Sequence, residues 1–338
     1  MIHSVPDARA PWSSLSLDAW DAFERDHPAP TFFARPAWAR ALHADDEHLV
    51  PAPITAVTRS GSRVIVPLIR HRNRKLSPWQ SFWGMPLGTY TAVMREDGSL
   101  ADPSEISDAL GALLASHCDL LELTLWPMQP HVAPPSMRES VHETSLIDVR
   151  GGVDAALARV NGKARRMAGQ SARRGVICAP ERGSDAVTTY YAMLSASAAR
   201  WGRAAPTFSQ RLLAAVVEYG GDDVEIWIAR HDGTPIAGGV VLYGARELFF
   251  WSAAMHMEYA ELRPSNALNY ALIEAAARRG VDWYNLGSSE GAPGVARFKA
   301  SLGADERSYC NLTHISAPYA AYRWVTSWTT RWTASARA

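Results

Sequence analysis

Cysteine is scarce: Cys118, Cys178 and Cys310 are the only three, and they lie far apart in the chain. Their number and spacing exclude a disulfide framework and the paired thiols of a zinc ribbon, and they suit a reducing compartment. An excess of one charge is lacking too. Thirty-four lysines and arginines balance 34 aspartates and glutamates, so no global field draws the protein to a polyanion. Any such binding must come from a local patch. No stretch approaches the roughly 18 apolar residues of a membrane-spanning helix. The opening MIHSVPDARAPW has neither the basic start nor the apolar core of a signal peptide. A cytoplasmic location is the expectation. HExxH, GxSxG, a P-loop and a GxGxxG after a strand are all missing, which argues against zinc-peptidase, serine-hydrolase, nucleotide and dinucleotide sites.

What is present is a packed globular chain of 338 residues, 47% hydrophobic and 20% charged, long enough for two domains. Its 13 tryptophans serve core packing or line a cleft. In the first half, helices are expected over 18–25, 36–44 and 104–116. ITAVTR (54–59) and RVIVPLIRHR (63–72) read as two strands joined through Ser60-Gly61-Ser62, and LLELTL (120–125) as another. SPWQSFWGMPLGTY (77–90) reads as a loop and PMQPHVAPPSMRE (127–139) as a linker. In the second half, TSLIDV (144–149) is a strand and 153–174 one helix ending before Gly175. VICA (176–179) is a short strand, followed by helices over 185–199 and 208–219. VEIWIAR, PIAGGVVLY and ELFFWSAA (224–254) make a three-strand meander. A helix ending at Gly280, the strand VDWYNLG (281–287), a helix over 293–302 and the strand RSYCNLTHI (307–315) complete the order.

Four segments carry a family resemblance. They are TFFARPAWARAL (31–42), NGKARRMAGQSARRGV (161–176), RPSNALNYALIEAAARRGVDWYNLG (263–287) and VARFKASLGA (295–304). Together, over about 20–315, the chain resembles the FemABX family and its relatives with a BioF2-like acetyltransferase domain. Its element order is similar to the GNAT acyltransferase fold, and the first half carries a degraded copy. The resemblance implies an α/β fold of two tandem GNAT-like domains, each a mixed twisted sheet flanked by helices. The domains would be 1–147 plus 318–338, and 148–317. It also implies N-acyl transfer to an amine with no bound cofactor, from aminoacyl-tRNA or, alternatively, acyl-CoA. A non-catalytic ligand-binding protein on the same fold is the reading of another class. The acceptor would be a small-molecule or peptide amine. The GNAT Q/R-x-x-G-x-G/A loop is missing where MHMEYAELRPSN (255–266) stands, which favours aminoacyl-tRNA. Asn285 replaces a residue that is often Asp in the family.

The resemblance makes Lys299 of the F-K motif the catalytic group, with Phe298 beside it. On pattern alone, Val295, Phe298 and Leu302 mark the buried stripe of that helix and Lys299 borders it. A lysine there either stabilises developing negative charge on a reacting carbonyl or simply complements the helix C-terminus. Arg159, Lys163, Arg166, Arg173 and Arg174 fall on one arc of the 153–174 helix, as a phosphate-binding stripe or a solvated face. RHRNRK (70–75) is a second cluster. Arg200 and Trp201 occupy a loop suited to an anionic or planar ligand. Arg40 falls where the family places a basic residue for a substrate phosphate. Asn266 and Tyr270 share one helix face. Glu290 and Glu258 are the candidate bases. Trp324, Trp328 and Trp332 recur every four residues between Arg323 and Arg331. That helix either docks back on the first domain, as the resemblance implies, or makes weak peripheral contact with a membrane.

Overall fold

The structure is a computed structural model that describes residues 12–72, 79–87, 89–116, 118–200, 202–289 and 291–325. The first half runs β1 (Trp12–Ser14), α1 (Leu17–Asp26), α2 (Pro36–Asp45), β2 (Leu49–Pro51), β3 (Ile54–Val57) and β4 (Arg63–Val66). It continues through β5 (Ile69–His71), β6 (Ser81–Gly84), β7 (Met94–Arg95), α3 (Pro103–Leu114), β8 (Leu120–Thr124) and β9 (Arg138–Asp148). Then come α4 (Gly152–Ala158), α5 (Gly162–Arg173), β10 (Ile177–Glu181), α6 (Gly183–Arg200) and α7 (Gln210–Gly220). A meander of β11 (Val224–His231), β12 (Thr234–Tyr243) and β13 (Glu247–Met255) follows. The chain closes with α8 (Pro264–Arg279), β14 (Trp283–Asn285), α9 (Pro293–Ser301) and β15 (Asp305–Ile315).

The chain divides into two compact units, one of 1–27, 48–141 and 310–338, the other of 28–47 and 142–309. These bounds differ from the expected halves chiefly at 28–47, which groups with the second unit. That segment is apolar, and Phe33 lies edge-on to Phe249 with ring centroids 4.9 Å apart.

In the first unit, β1-β3-β4-β7 form an antiparallel sheet, and β15-β8-β6-β5-β2 form a second run of strands. Val64, Val66, Ile106, Leu110, Leu121 and Leu123 share its core. Three expectations need correcting here. RVIVPLIRHR is two strands in two sheets, because Pro67 has no amide to donate and ends β4. SPWQSFWGMPLGTY holds a strand, β6, which runs parallel to β8 with Phe82 opposite Leu121. The supposed linker is part of the fold. Gln129 is buried there, accepting from Val93 N at 3.0 Å and donating to Val93 O at 2.7 Å.

In the second unit the sheet runs β10-β11-β12-β13-β14-β9, with β13 and β14 parallel and the other pairs antiparallel. Leu248, Leu268, Leu272, Ile273, Tyr284 and Leu302 lie in one core against α8 and α9. The meander forms as the sequence predicts. The ladder skips Trp251, a bulge that re-aims that side chain. Gly239 is required beside it, since a Cβ there would lie 2.0 Å from the Phe250 ring. The single helix expected over 153–174 is instead α4 and α5. Asn161 breaks it by using its side-chain oxygen to accept from Lys163 N at 2.7 Å, an N-cap that competes with continued helix.

Candidate functional site

Within the sheet of the second unit, β13 and β14 stay together only briefly. β14 pairs with β13 only from Glu247/Trp283 to Phe249/Asn285. Beyond that point β13 continues to Met255 along β12, while the other chain parts from β13 and stays bonded to β9, Leu286 N donating to Ser145 O at 2.9 Å and Ser145 N to Gly287 O at 3.1 Å. Asn285 causes the departure by folding its side chain back to accept from Gly287 N at 2.9 Å, an Asx-type turn. Gly287 follows at φ 72°, in the left-handed region that favours glycine.

Lys299 sits against this turn. It is the most buried side chain of α9, 7% exposed, and its Nζ donates to Gly287 O at 2.8 Å and Ser288 O at 2.7 Å. Burial lowers its pKa from 10.5 to about 8. An ammonium has three N–H donors and the two carbonyls take two, which leaves one for a ligand. The expected stripe is therefore shifted. Val295 is 44% exposed, Phe298 is half-buried against the core, and the lysine itself faces inward. The reason is that α9 is short and rests on the Gly287 turn rather than on a continuous sheet face.

A buried polar chain holds the turn. Asn285, fully buried, accepts from Thr144 Oγ1 at 2.7 Å and donates to Glu247 Oε1 at 2.6 Å. Glu247 is thus joined through Asn285 and the Gly287 peptide to the Lys299 ammonium. A parallel link runs from Tyr284 Oη, which donates to Asn269 Oδ1 at 2.8 Å. Sequence reasoning noticed Asn285 only as a departure and missed Glu247 and Thr144. Periodicity carries no signal for a hydrogen bond between residues so far apart in the chain.

Arg200 is exposed at the end of α6, and its Nη1 donates to Met255 O at 3.0 Å, where β13 ends. Along the same strand, Phe208 stacks on half-buried Trp251 with centroids 4.2 Å apart, and Trp38 meets Trp251 edge-on at 5.5 Å. Sequence reasoning missed this aromatic group; the FFW run in β13 was its only trace. Arg40 is half-buried on α2, the helix that carries Trp38.

The other sequence candidates spread over the unit. Lys163, Arg166 and Arg173 are exposed on α5. Arg159 leaves the stripe to pair with Asp305 at 2.5 Å, and Arg174 donates to Glu261 O at 2.8 Å, so the five-cation stripe reduces to the α5 residues. Asn266 is buried on α8. Tyr270, half-buried, lines a groove of about 370 Å³ with Arg165, Ala168, Cys178 and Glu274. Glu258 is exposed beside His256 at 3.9 Å. Trp201, Glu290, residues 73–75 of the second basic cluster, Trp328, Arg331 and Trp332 lie outside the described residues. Of the C-terminal segment, Tyr319 and Tyr322 contact Trp79 at 5.3 and 5.4 Å within the first unit, and Trp324 is 62% exposed. No helix among the described residues is long and apolar enough to cross a membrane.

Residues 155–300, which contain the turn, the opening and Lys299, match the family model described as an Acetyltransferase (GNAT) domain. That match covers less than half of the chain and makes the second unit similar to that domain. The fold is similar to the crystal structure of FemX at 13% identity, covering 88% of this chain and 96% of that one with a TM-score of 0.67. It is also similar to L-PGS from Bacillus licheniformis (14% identity, 98% and 99% covered, TM-score 0.53). A third likeness is to the C-terminal domain of a putative lysylphosphatidylglycerol synthetase from Agrobacterium fabrum (13%, 92% and 97%, 0.54). No curated protein sequence matches the chain. The α/β fold of GNAT-like, FemABX-like architecture expected from the motifs is the one observed.

Proposed function

We propose that the protein transfers an aminoacyl group from aminoacyl-tRNA to an amine acceptor, forming an amide. The observation that carries this reading is the Lys299 ammonium, buried where β13 and β14 part and pinned by two carbonyl oxygens. Attack of a neutral amine on a donor ester builds negative charge on the carbonyl oxygen. The remaining N–H of a fixed cation stabilises that charge without reorganising, an effect typically worth about 2.7–4 kcal/mol. Phe298 shapes the apolar wall beside the cation. The tetrahedral adduct then collapses, and the proton lost by the amine passes, directly or through water, to the ester oxygen, which leaves as an alcohol.

The exposed cations of α5 supply a surface for donor phosphates. Two neighbours in fold bear the names FemX and lysylphosphatidylglycerol synthetase, and the second name denotes an aminoacylated product, in keeping with an aminoacyl donor. Acyl-CoA is the second donor reading, favoured by the acetyltransferase family match. The segment before α8 weighs against it. Pro264 opens that helix without an amide, and the amides of Asn266 and Ala267 are bonded to Arg263 O at 3.1 and 3.3 Å. Product formation from a charged-tRNA pool with an amine acceptor, before and after ribonuclease treatment, decides between the donors. Abolition by the nuclease supports the proposal, and indifference to it with turnover on acyl-CoA overturns it.

A further inference from the structure

Three side chains of the first unit meet without any role in acyl transfer. The donor atoms of His131, Glu139 and Cys310 all lie within 4.8 Å of one another, with Cys310 Sγ 4.0 Å from Glu139 Oε2. Among the described residues no other histidines, cysteines and carboxylates converge in this way. His131 and Cys310 are half-buried, and Glu139 is exposed. They come from the proline-rich stretch after β8, the start of β9 and the middle of β15. Their spacing in sequence gives no hint of a site.

We propose that His131, Glu139 and Cys310 form a binding site for a zinc-class divalent cation, which clips the proline-rich segment onto the strands. The donor set is imidazole nitrogen, thiolate sulfur and carboxylate oxygen, the ligand types zinc takes. Thiolate and imidazole together select zinc-class ions over calcium or magnesium. Tetrahedral bonds of about 2.0–2.3 Å set neighbouring donors roughly 3.3–3.8 Å apart, so the cluster tightens by about an ångström on binding. The exposed Glu139 side chain supplies most of that movement. On binding, the S–H proton leaves to solvent and a metal–sulfur bond forms, so one proton is released per ion. One thiolate and one carboxylate then neutralise the 2+ charge, and water fills the fourth position on the exposed side.

The segment has other anchors, but among the described residues none is a hydrogen bond of His131. Gln129 is bonded to Val93 and Ser136 O contacts His314 Nδ1 at 3.0 Å. A metal at His131 fastens the stretch between those two points. His314 is already engaged with Ser136 and is not counted as a ligand.

The test is cobalt(II) titration of the untagged, metal-free full chain. Wild type is expected to bind one cobalt with tetrahedral visible bands and a near-ultraviolet thiolate-to-cobalt band, all bleached by zinc. Cys310→Ser should lose the thiolate band and bind at least tenfold more weakly. His131→Ala should weaken binding tenfold or more while keeping the band, and Cys178→Ser should change neither. Both ligand variants sit at partly exposed positions, and their near-ultraviolet circular dichroism checks the fold. His131→Gln replaces His131→Ala if the latter does not fold. Absence of the thiolate band in wild type, or wild-type cobalt affinity in Cys310→Ser, overturns the proposal.

Discussion

Lys299 donates through Nζ to the carbonyl oxygen of Gly287 at 2.8 Å, so one charge-assisted bond ties α9 to the turn where the chain parts from β13. The cation and the strand opening are thereby fixed to each other. Replacing Lys299 with Met keeps the length of the stem and removes the charge. Turnover on the true substrate is expected to fall about 10²–10³-fold, the loss typical of one oxyanion donor. Stability should change little. A pKa lowered from 10.5 to about 8 means that burying the charge costs roughly 3 kcal/mol, which offsets the loss of its two hydrogen bonds at about 1–3 kcal/mol each, and Gly287 O keeps the bond it accepts from Ser145 N at 3.1 Å. Thermal melting separates the two effects: wild-type turnover in a folded Lys299→Met protein ends the catalytic assignment.

The same shift sets a pH dependence. Lys299 is cationic below about 8 and neutral above it, so kcat/KM should fall about tenfold per pH unit on the alkaline side of that value. The stability contribution has the opposite sign. Because the folded pKa is depressed, the unfolded chain binds more protons between about 8 and 10.5, and this group's contribution makes stability rise with pH across that window. Loss of activity there is not unfolding. In Lys299→Arg the cation persists and the alkaline limb should flatten, even if the bulkier group lowers the rate. An unchanged limb in that variant assigns the titration to another residue.

Asn285 offers a sharper test of the buried chain. Its amide nitrogen donates to Glu247 Oε1, and a carboxylate in its place cannot. Asn285→Asp sets two buried carboxyls 2.6 Å apart, so one must hold a proton, and its folded pKa rises above the unfolded value. Stability is then retained at acid pH and lost as pH rises through that raised value. The variant should melt close to wild type near pH 5 and lose about 2 kcal/mol or more by pH 8, a difference absent from wild type. A melting shift independent of pH contradicts the direct Glu247 contact.

Much of the second unit was legible because its elements are long and each carries its own period. The meander alternates around turn residues, and α8 stops where Gly280 permits the left-handed cap. The failures share a cause. Pro67, Asn161 and the SFWG run each change one local choice, an absent amide, a competing side chain or a short strand, inside a pattern that otherwise continues. The Lys299 site was legible only as a motif. Its burial depends on Gly287 and Ser288 carbonyls that a turn presents, and that turn depends on Thr144, which is 141 residues from Asn285 in sequence. No local pattern reports such a contact.

The α5 cations connect the proposed donor to a measurable salt dependence. Lys163, Arg166 and Arg173 are exposed on one helix, and among the described residues they have no acidic partner such as Arg159 finds in Asp305. A nucleic-acid donor held there releases counterions, and each phosphate contact removed lowers the log–log salt slope of its affinity by about 0.7–0.9. Converting all three to Gln removes charge from a solvated face and should leave the melting temperature unchanged, since surface substitutions of this kind stay within about 0.5 kcal/mol. KM for aminoacyl-tRNA should rise at low salt, by more than tenfold if all three touch phosphate, and the gap to wild type should close as salt increases. A coenzyme A donor spans far fewer phosphates and would give a shallow slope in both proteins. If wild type and the triple variant show one slope, the helix is a solvated surface and the donor is held elsewhere.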